Sequence, residues 1–153
     1  MDCVIRPALD QDADAVSAVI LRALRETNVA DYTDAIIERI SRSFGPHEVL
    51  QIIGKRKVFV ATIEGRIVGT AGLDGSVVRT VFVAPDVQAR GVGKLLMAEV
   101  ERAARDGGVS VPSVPSSITA EAFYARLGFK AIRDTYHGDE RTIIMERSLN
   151  QPS

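Results

Sequence analysis

The 153-residue sequence has one cysteine and no tryptophan. Cys3 has no partner for an internal disulfide, so packing rather than covalent staples must hold the fold. Beside Val4 and Ile5, Cys3 is expected to be a small buried hydrophobe. Only two histidines occur, His47 and His137, and with a lone cysteine they give no metal-ligand spacing, so no metal is expected. Charge of one sign is not in excess either: 19 Lys and Arg oppose 20 Asp and Glu, for a formal net charge of −1. That balance, with no long like-charged run, disfavours a nucleic-acid binder or a polybasic membrane module. No apolar run approaches the roughly 18 residues of a spanning helix, and the N-terminus carries no basic region ahead of an apolar one. The expectation is a cytoplasmic protein without nucleic-acid or membrane partners.

What the chain does have is core-forming material, with 46% hydrophobic and 25% charged residues. There is no internal repeat and no linker-like tract, so a single domain over residues 1–153 is expected. The densest group of structure breakers is Pro112 to Ser117.

Cys3 to Arg6 reads as a strand closed by Pro7. Val16, Val19, Ile20, Ala23 and Leu24 then form one apolar stripe at helical spacing. A second helix starts near Asp31 or Thr33, turns Ile36, Ile37 and Ile40 inward and stops at Gly45-Pro46; a third covers Pro46 to Ile53 and is closed by Gly54. The period then changes. Lys57 to Ile63, Arg66 to Leu73 and Ser76 to Val83 are rich in Val and Ile and are joined by Glu64-Gly65 and Asp74-Gly75, the signature of a three-stranded antiparallel meander. Val92, Leu95, Leu96, Val100 and Ala103 mark a helix ending at Gly107-Gly108, after which Val109 to Val114 reads as a strand. Ser116 or Ser117 caps a short helix carrying Ala122, Phe123 and Leu127, with Gly128 as its stop. Phe129 to Arg133 and Thr142 to Leu149 form a last antiparallel pair across the polar segment Asp134 to Arg141. The predicted class is α/β (α+β), a layered structure around a mixed, mostly antiparallel sheet.

Chemistry concentrates between Val81 and Lys94, where a strand passes through Val83-Ala84-Pro85 and Gln88-Ala89-Arg90-Gly91-Val92-Gly93-Lys94 into an amphipathic helix. Glycines at a helix start let backbone approach an anion, and the free N–H groups and helix dipole favour negative charge, so phosphate is the natural guest. Glycines there also serve turn geometry alone. A P-loop would need glycine at Gln88 and a hydroxyl at Leu95; a dinucleotide fingerprint would need glycine at Leu96. Both fail.

Gln88, Gly91 and Gly93, with the Val83-Ala84-Pro85 lead-in, resemble motif A of the GNAT N-acetyltransferase superfamily. Phe123-Tyr124, three residues, then Gly128-Phe129 resembles its motif B, in the right order and spacing. The resemblance covers nearly the whole chain, and Ser116 to Ala120 looks like an uncharacterised bacterial subgroup. It implies a GNAT-like sheet of about seven strands flanked by about four helices. It also implies acetyl-CoA as co-substrate, with the pyrophosphate on backbone amides of Arg90, Gly91, Val92, Gly93 and Lys94, and pantetheine along the bulged strand end Val81, Phe82 and Val83. Ser117 is a further pantetheine contact, standing near the place of an asparagine common in the family, as do Ser113 and Ser116. Tyr124 takes the family's role of protonating the departing thiolate; the competing account is a tyrosine that covers the core edge.

The resemblance thins at the base. Many family members carry a glutamate on the strand before motif A, and Arg79 stands there. Asp74, His47, His137, Glu38 and the acidic residues of Asp31 to Asp34 are alternatives, none assigned. The region from Asn28 to Gly54 and the loop near Tyr136-His137 border the acceptor site in the family, and Tyr32, Phe44 and Tyr136 are candidates to line it, with core packing as the competing account. The implied activity is direct acetyl transfer to a primary amine, of a small molecule or of a peptide. A non-catalytic acyl-CoA-binding or sensing module is the alternative. A homodimer is compatible with the sequence, though no heptad run marks one.

Overall fold

The computed structural model describes residues 2–149. Its seven strands are β1 (Cys3–Pro7), β2 (Lys57–Ile63), β3 (Arg66–Asp74), β4 (Val77–Val83), β5 (Ser113–Ser116), β6 (Lys130–His137) and β7 (Glu140–Glu146). They lie in the order β1-β2-β3-β4-β5-β7-β6, antiparallel except where β4 meets β5. Five α-helices flank the sheet: α1 (Ala13–Glu26), α2 (Asp34–Ser41), α3 (Pro46–Lys55), α4 (Val92–Asp106) and α5 (Glu121–Arg126).

Strand alternation divides the core between the two sheet faces. Val60 on β2 joins Val16, Ile20 and Leu24 of α1, Ile37 of α2 and Val49 of α3. Its neighbours Phe59 and Ala61 face the other way, with Leu96, Met97 and Val100 of α4. Each face buries an apolar helix stripe that would otherwise stay in water, and a fully buried Leu or Ile side chain is worth about 1.5–3 kcal/mol. Cys3 is half-buried against the α4 side, and burial pushes its thiol up, which leaves it little thiolate character.

Local chemistry explains the ends of these elements. Thr33 caps α2, its hydroxyl accepting the Ile36 N–H at 3.2 Å, so the helix begins at Asp34 rather than Asp31. Glu64 and Gly65 have φ of 52° and 78°, and the meander's second turn uses Gly75 at 60°. Positive φ at these loop positions matches the twist of the strands they join.

Several expected boundaries are wrong. The short helix expected behind a Ser116 or Ser117 cap starts at Glu121 with Ala120 as its cap, because Ser116 belongs to β5 and Ser117 holds the turn that follows. The last strand, expected over Thr142 to Leu149, runs Glu140–Glu146. Gly54 does not stop α3, which runs to Lys55; no positive φ is needed there, so the glycine is simply tolerated. The strand expected over Val109 to Val114 instead occupies Ser113–Ser116, inside the Pro112 to Ser117 breaker group. Ser113 donates its N–H to Ser76 O on the β4 side at 3.0 Å. By alternation Pro115, which has no N–H, points the same way, into space that β4 has already left. The segment Asp134 to Arg141 is not a long polar joint: β6 and β7 continue through it to a turn at Gly138 and Asp139, with His137 opposite Glu140. All eight residues of β6 are exposed, so that edge strand shows no inside-outside alternation.

Candidate active site

The defining geometry is a splayed pair of parallel strands. β4 and β5 are in register only at Val77 and Ser113, and beyond that point they separate. The cause lies in β4. Gly72 faces Arg79 and Thr70 faces Phe82, so one extra β4 residue is accommodated between them, with Thr80 in the left-handed region at φ 58°. This bulge bends the strand and resets its alternation. Val78, Val81 and Val83 pack on the α4 side, whereas Phe82 packs on the α1–α3 side and meets the Phe44 ring edge-on at 5.9 Å.

A cavity of about 940 Å³ fills the gap. Val81, Phe82, Val83, Gly91, Val92, Gly93, Lys94, Ser117 and Tyr124 all line it, so the structure gathers nearly every residue singled out in the sequence. Arg90 is the exception: it is exposed on the loop and does not line the cavity. Among the expected aromatic residues, Tyr32 and Phe44 line it, whereas Tyr136 is 65% exposed on β6 and does not. His47 and His137 also lie outside the lining.

At one end stands the start of α4. Ala89 and Gly91 have φ of 65° and 81°, turning the loop so that the first helical turn opens into the cavity. The first helix hydrogen bond beyond the cap runs from Leu95 N–H to Gly91 O, which leaves the Val92, Gly93 and Lys94 N–H groups without a backbone acceptor. The cap residue has no side chain to satisfy them, and no acidic residue occupies the first turn. An added Cβ at Gly91 would have nothing within 4 Å. The arrangement fits an anion such as a pyrophosphate. Gly93 has a further requirement beside the one its spacing suggested: a Cβ there would lie 3.1 Å from the Phe123 ring. Its missing side chain lets α5 dock on α4.

That docking sets Tyr124. Phe123 and Phe129 each meet its ring edge-on, at 5.2 and 5.8 Å. The ring is 4% exposed but lines the cavity, and burial alone pushes its phenol well above the usual value near 10. Tyr124 therefore holds its proton throughout the neutral range. The structure shows a residue that closes the core edge and also lines the cavity.

Ser117 is placed by β5 and by the turn before α5, where its Oγ accepts the Ala120 N–H at 3.1 Å. Its hydroxyl also faces the Tyr32 oxygen. Ser116 is buried and donates to Ser117 O at 2.8 Å, and Ser113 does not line the cavity. Next to Ser117, the Tyr32 hydroxyl accepts the Ile118 N–H at 2.7 Å, tying the segment before α2 to the end of β5. Burial pushes the Tyr32 phenol up as well.

Several cavity residues carried no sequence signal. Glu140 is the one carboxylate in the lining among the described residues, and Arg39 of α2 holds it at 2.8 Å. Arg56, at the end of α3, and Arg79 of β4 both line the cavity. In the sequence Arg79 stands out only as the residue in the place of a family glutamate; Arg56 and Glu140, among 20 acidic and 19 basic side chains, are picked out by the folded arrangement alone. Among the described residues no three His, Cys, Asp or Glu side chains cluster as a metal site, and no helix is long and apolar enough to cross a membrane.

Comparison with known proteins points one way. A family model described as an acetyltransferase (GNAT) domain matches residues 28–145. A GCN5-related N-acetyltransferase from Rhodopseudomonas palustris shares 25% identity with a TM-score of 0.91, over 97% of each chain. The PaiA N-acetyltransferase of Thermoplasma acidophilum, solved with coenzyme A, shares 20% identity and a TM-score of 0.82 over 97% of this chain and 99% of that one. YncA of Salmonella typhimurium, solved with acetyl-CoA, is similar at 20% identity and a TM-score of 0.66, over 99% of this chain and 96% of its own. No curated protein matches the sequence.

Proposed function

Because the chain belongs to the GNAT acetyltransferase family, we propose that it moves the acetyl group of acetyl-CoA directly to a primary amine of a small molecule or a peptide. The observation that carries this reading is one cavity that joins the open first turn of α4 to the buried hydroxyl-bearing ring of Tyr124 along the splayed end of β4. Coenzyme A or acetyl-CoA in two proteins of the same fold supports it.

Each part of the cavity has a task. The Val92, Gly93 and Lys94 N–H groups hold the pyrophosphate, with the Lys94 ammonium nearby. The β4 edge from Val81 to Val83, which β5 leaves unpaired, offers backbone groups to the pantetheine amides, and Ser117 adds a hydroxyl across the gap. Acetyl-CoA bound there supplies an activated acyl carbon. The acceptor nitrogen forms the new C–N bond while the C–S bond breaks, and Tyr124 delivers its proton to the sulfur. The acceptor arrives as an alkylammonium with a pKa near 10.4 and gives up two protons: one before it attacks, and one from the nitrogen of the new C–N bond, which replaces the proton Tyr124 gave to sulfur. Arg79 stands where many family members carry a glutamate for the first of these protons, so on this reading that proton passes to water.

The test is release of free CoA thiol with an amine panel. Release that depends on added amine and yields the N-acetyl product is the expected result. Tight acetyl-CoA binding without amine-dependent release would identify an acyl-CoA sensor instead.

A further inference from the structure

The end of the cavity beyond the β4 bulge is cationic, and its donors are unspent. Arg79 Nε is buried and makes no hydrogen bond. Its nearest carboxylate oxygen, Asp74 Oδ2, is 3.5 Å away, and Arg56 Nε lies 3.8 Å from the same oxygen. Arg56 reaches Thr80 Oγ1 only at 3.5 Å. Other arginines with less exposed partners close tightly on them: Arg6 on Asp12 at 2.8 Å, Arg39 on Glu140 at 2.8 Å and Arg141 on Asp134 at 2.9 Å; contacts as long as 3.6 Å occur at the exposed pairs Arg42–Glu38 and Arg102–Asp106. The first three are normal lengths for charge-assisted hydrogen bonds, and the Arg56 and Arg79 contacts are not. Two guanidinium groups thus share one half-exposed carboxylate, and the cavity's single carboxylate, Glu140, is already held by Arg39.

The CoA phosphates do not account for these donors. Arg79 and Val83 are four positions apart on β4, about 13 Å by the rise of a strand, and the α4 cradle lies further along the chain still. The bulge also turns Phe82 toward α1–α3 and Val81 and Val83 toward α4, and Arg79 shares the Asp74 carboxylate with Arg56 at the end of α3. The arginines therefore stand past the thioester end of the proposed cofactor path, on the acceptor's side.

We propose that the acceptor is an amino carboxylate, with its carboxylate held by Arg56 and Arg79 and its amine turned toward the acetyl group. A planar carboxylate matches the guanidinium fork, which a lone ammonium acceptor would leave unsatisfied and would also repel. The inference rests on the acetyl-transfer reading and narrows its substrate.

The test compares amino acids with their own carboxamides as acceptors, at saturating acetyl-CoA. The expected result is a kcat/KM at least tenfold higher for the carboxylates, expressed mainly in KM. Arg79→Gln is expected to bring that ratio close to one, and Arg79→Lys, which keeps a charge but loses the fork, to restore part of it. The acetyl-CoA-dependent rise in Tm is expected to survive both substitutions. Equal rates with carboxylates and carboxamides, including none with either, overturn the inference. Loss of the acetyl-CoA response in Arg79→Gln also overturns it, because Arg79 would then belong to the cofactor. If acetyl-CoA leaves the Tm of the unsubstituted protein unchanged, the acetyl-transfer reading itself fails.

Discussion

Replacing Tyr124 by phenylalanine is expected to lower kcat by about 100-fold or more, the usual scale for losing a positioned general acid. Acetyl-CoA affinity should change little, because the cofactor contacts assigned above lie on α4, β4 and Ser117 rather than on the phenol. Stability should also hold. The ring keeps its edge contacts with Phe123 and Phe129, and no hydrogen bond of the hydroxyl is found among the described residues. The pH profile follows from the direction of the Tyr124 shift. Burial raises the phenol above its ordinary value, so the protonated acid persists from neutral pH to beyond about 10, and activity lost through its ionisation appears only above that range. Steady-state kinetics with a calorimetric Kd separates the terms. A weaker Kd with unchanged kcat would show that Tyr124 binds the cofactor rather than protonating the thiolate.

Gly91→Val should weaken acetyl-CoA binding by about 10–100-fold, in line with roughly 1–3 kcal/mol of backbone strain. The position is exposed and open, so no clash is involved. The strain comes from φ 81°, which a β-branched residue adopts only at high cost. Relaxation of the loop toward negative φ turns the Val92 to Lys94 N–H groups away from the cavity. Once acetyl-CoA is saturating, kcat should stay within a fewfold of the unsubstituted protein, since the Phe123 contact with Gly93 still places α5. Calorimetry on Gly91→Val beside Gly91→Ala checks this; equal Kd values for all three proteins would remove the α4 start from the cofactor site.

The parts of this site that local chemistry specifies can be read in the sequence. A helix stripe at 3.6-residue period, a Gly at a left-handed cap and an aromatic pair before Gly-Phe each announce themselves within a few residues, and so α1 and the α4 loop fall where expected, and α5 is found although it starts at Glu121 rather than behind Ser116 or Ser117. The bulge is implied by the family resemblance but has no local signal. Thr80 takes a left-handed conformation with no glycine to mark it, because the pairing on either side, Gly72 with Arg79 and Thr70 with Phe82, imposes it. β5 hides for the opposite reason: Pro115 reads as a breaker until the splay shows that its missing N–H has no partner to lose. Gly93 has a local signal with a partial meaning, since its lack of Cβ answers to Phe123, 30 positions away, as well as to the loop. Arg56 and Glu140 meet the cavity through tertiary structure alone, and Arg79 can be read only as the residue in the place of a family glutamate.

The most direct test of the cofactor assignment is thermal unfolding with and without acetyl-CoA, using desulfo-CoA and ATP as controls. At a ligand concentration 100 times Kd the stabilisation is about 2.7 kcal/mol, which in a domain of this size corresponds to a rise in Tm of roughly 5–11 °C. A rise of that size with both CoA ligands, and little with ATP, is the predicted result. No rise with either CoA ligand at saturating concentration would contradict the account, because the open turn of α4 and the gap between β4 and β5 would then not form a CoA site.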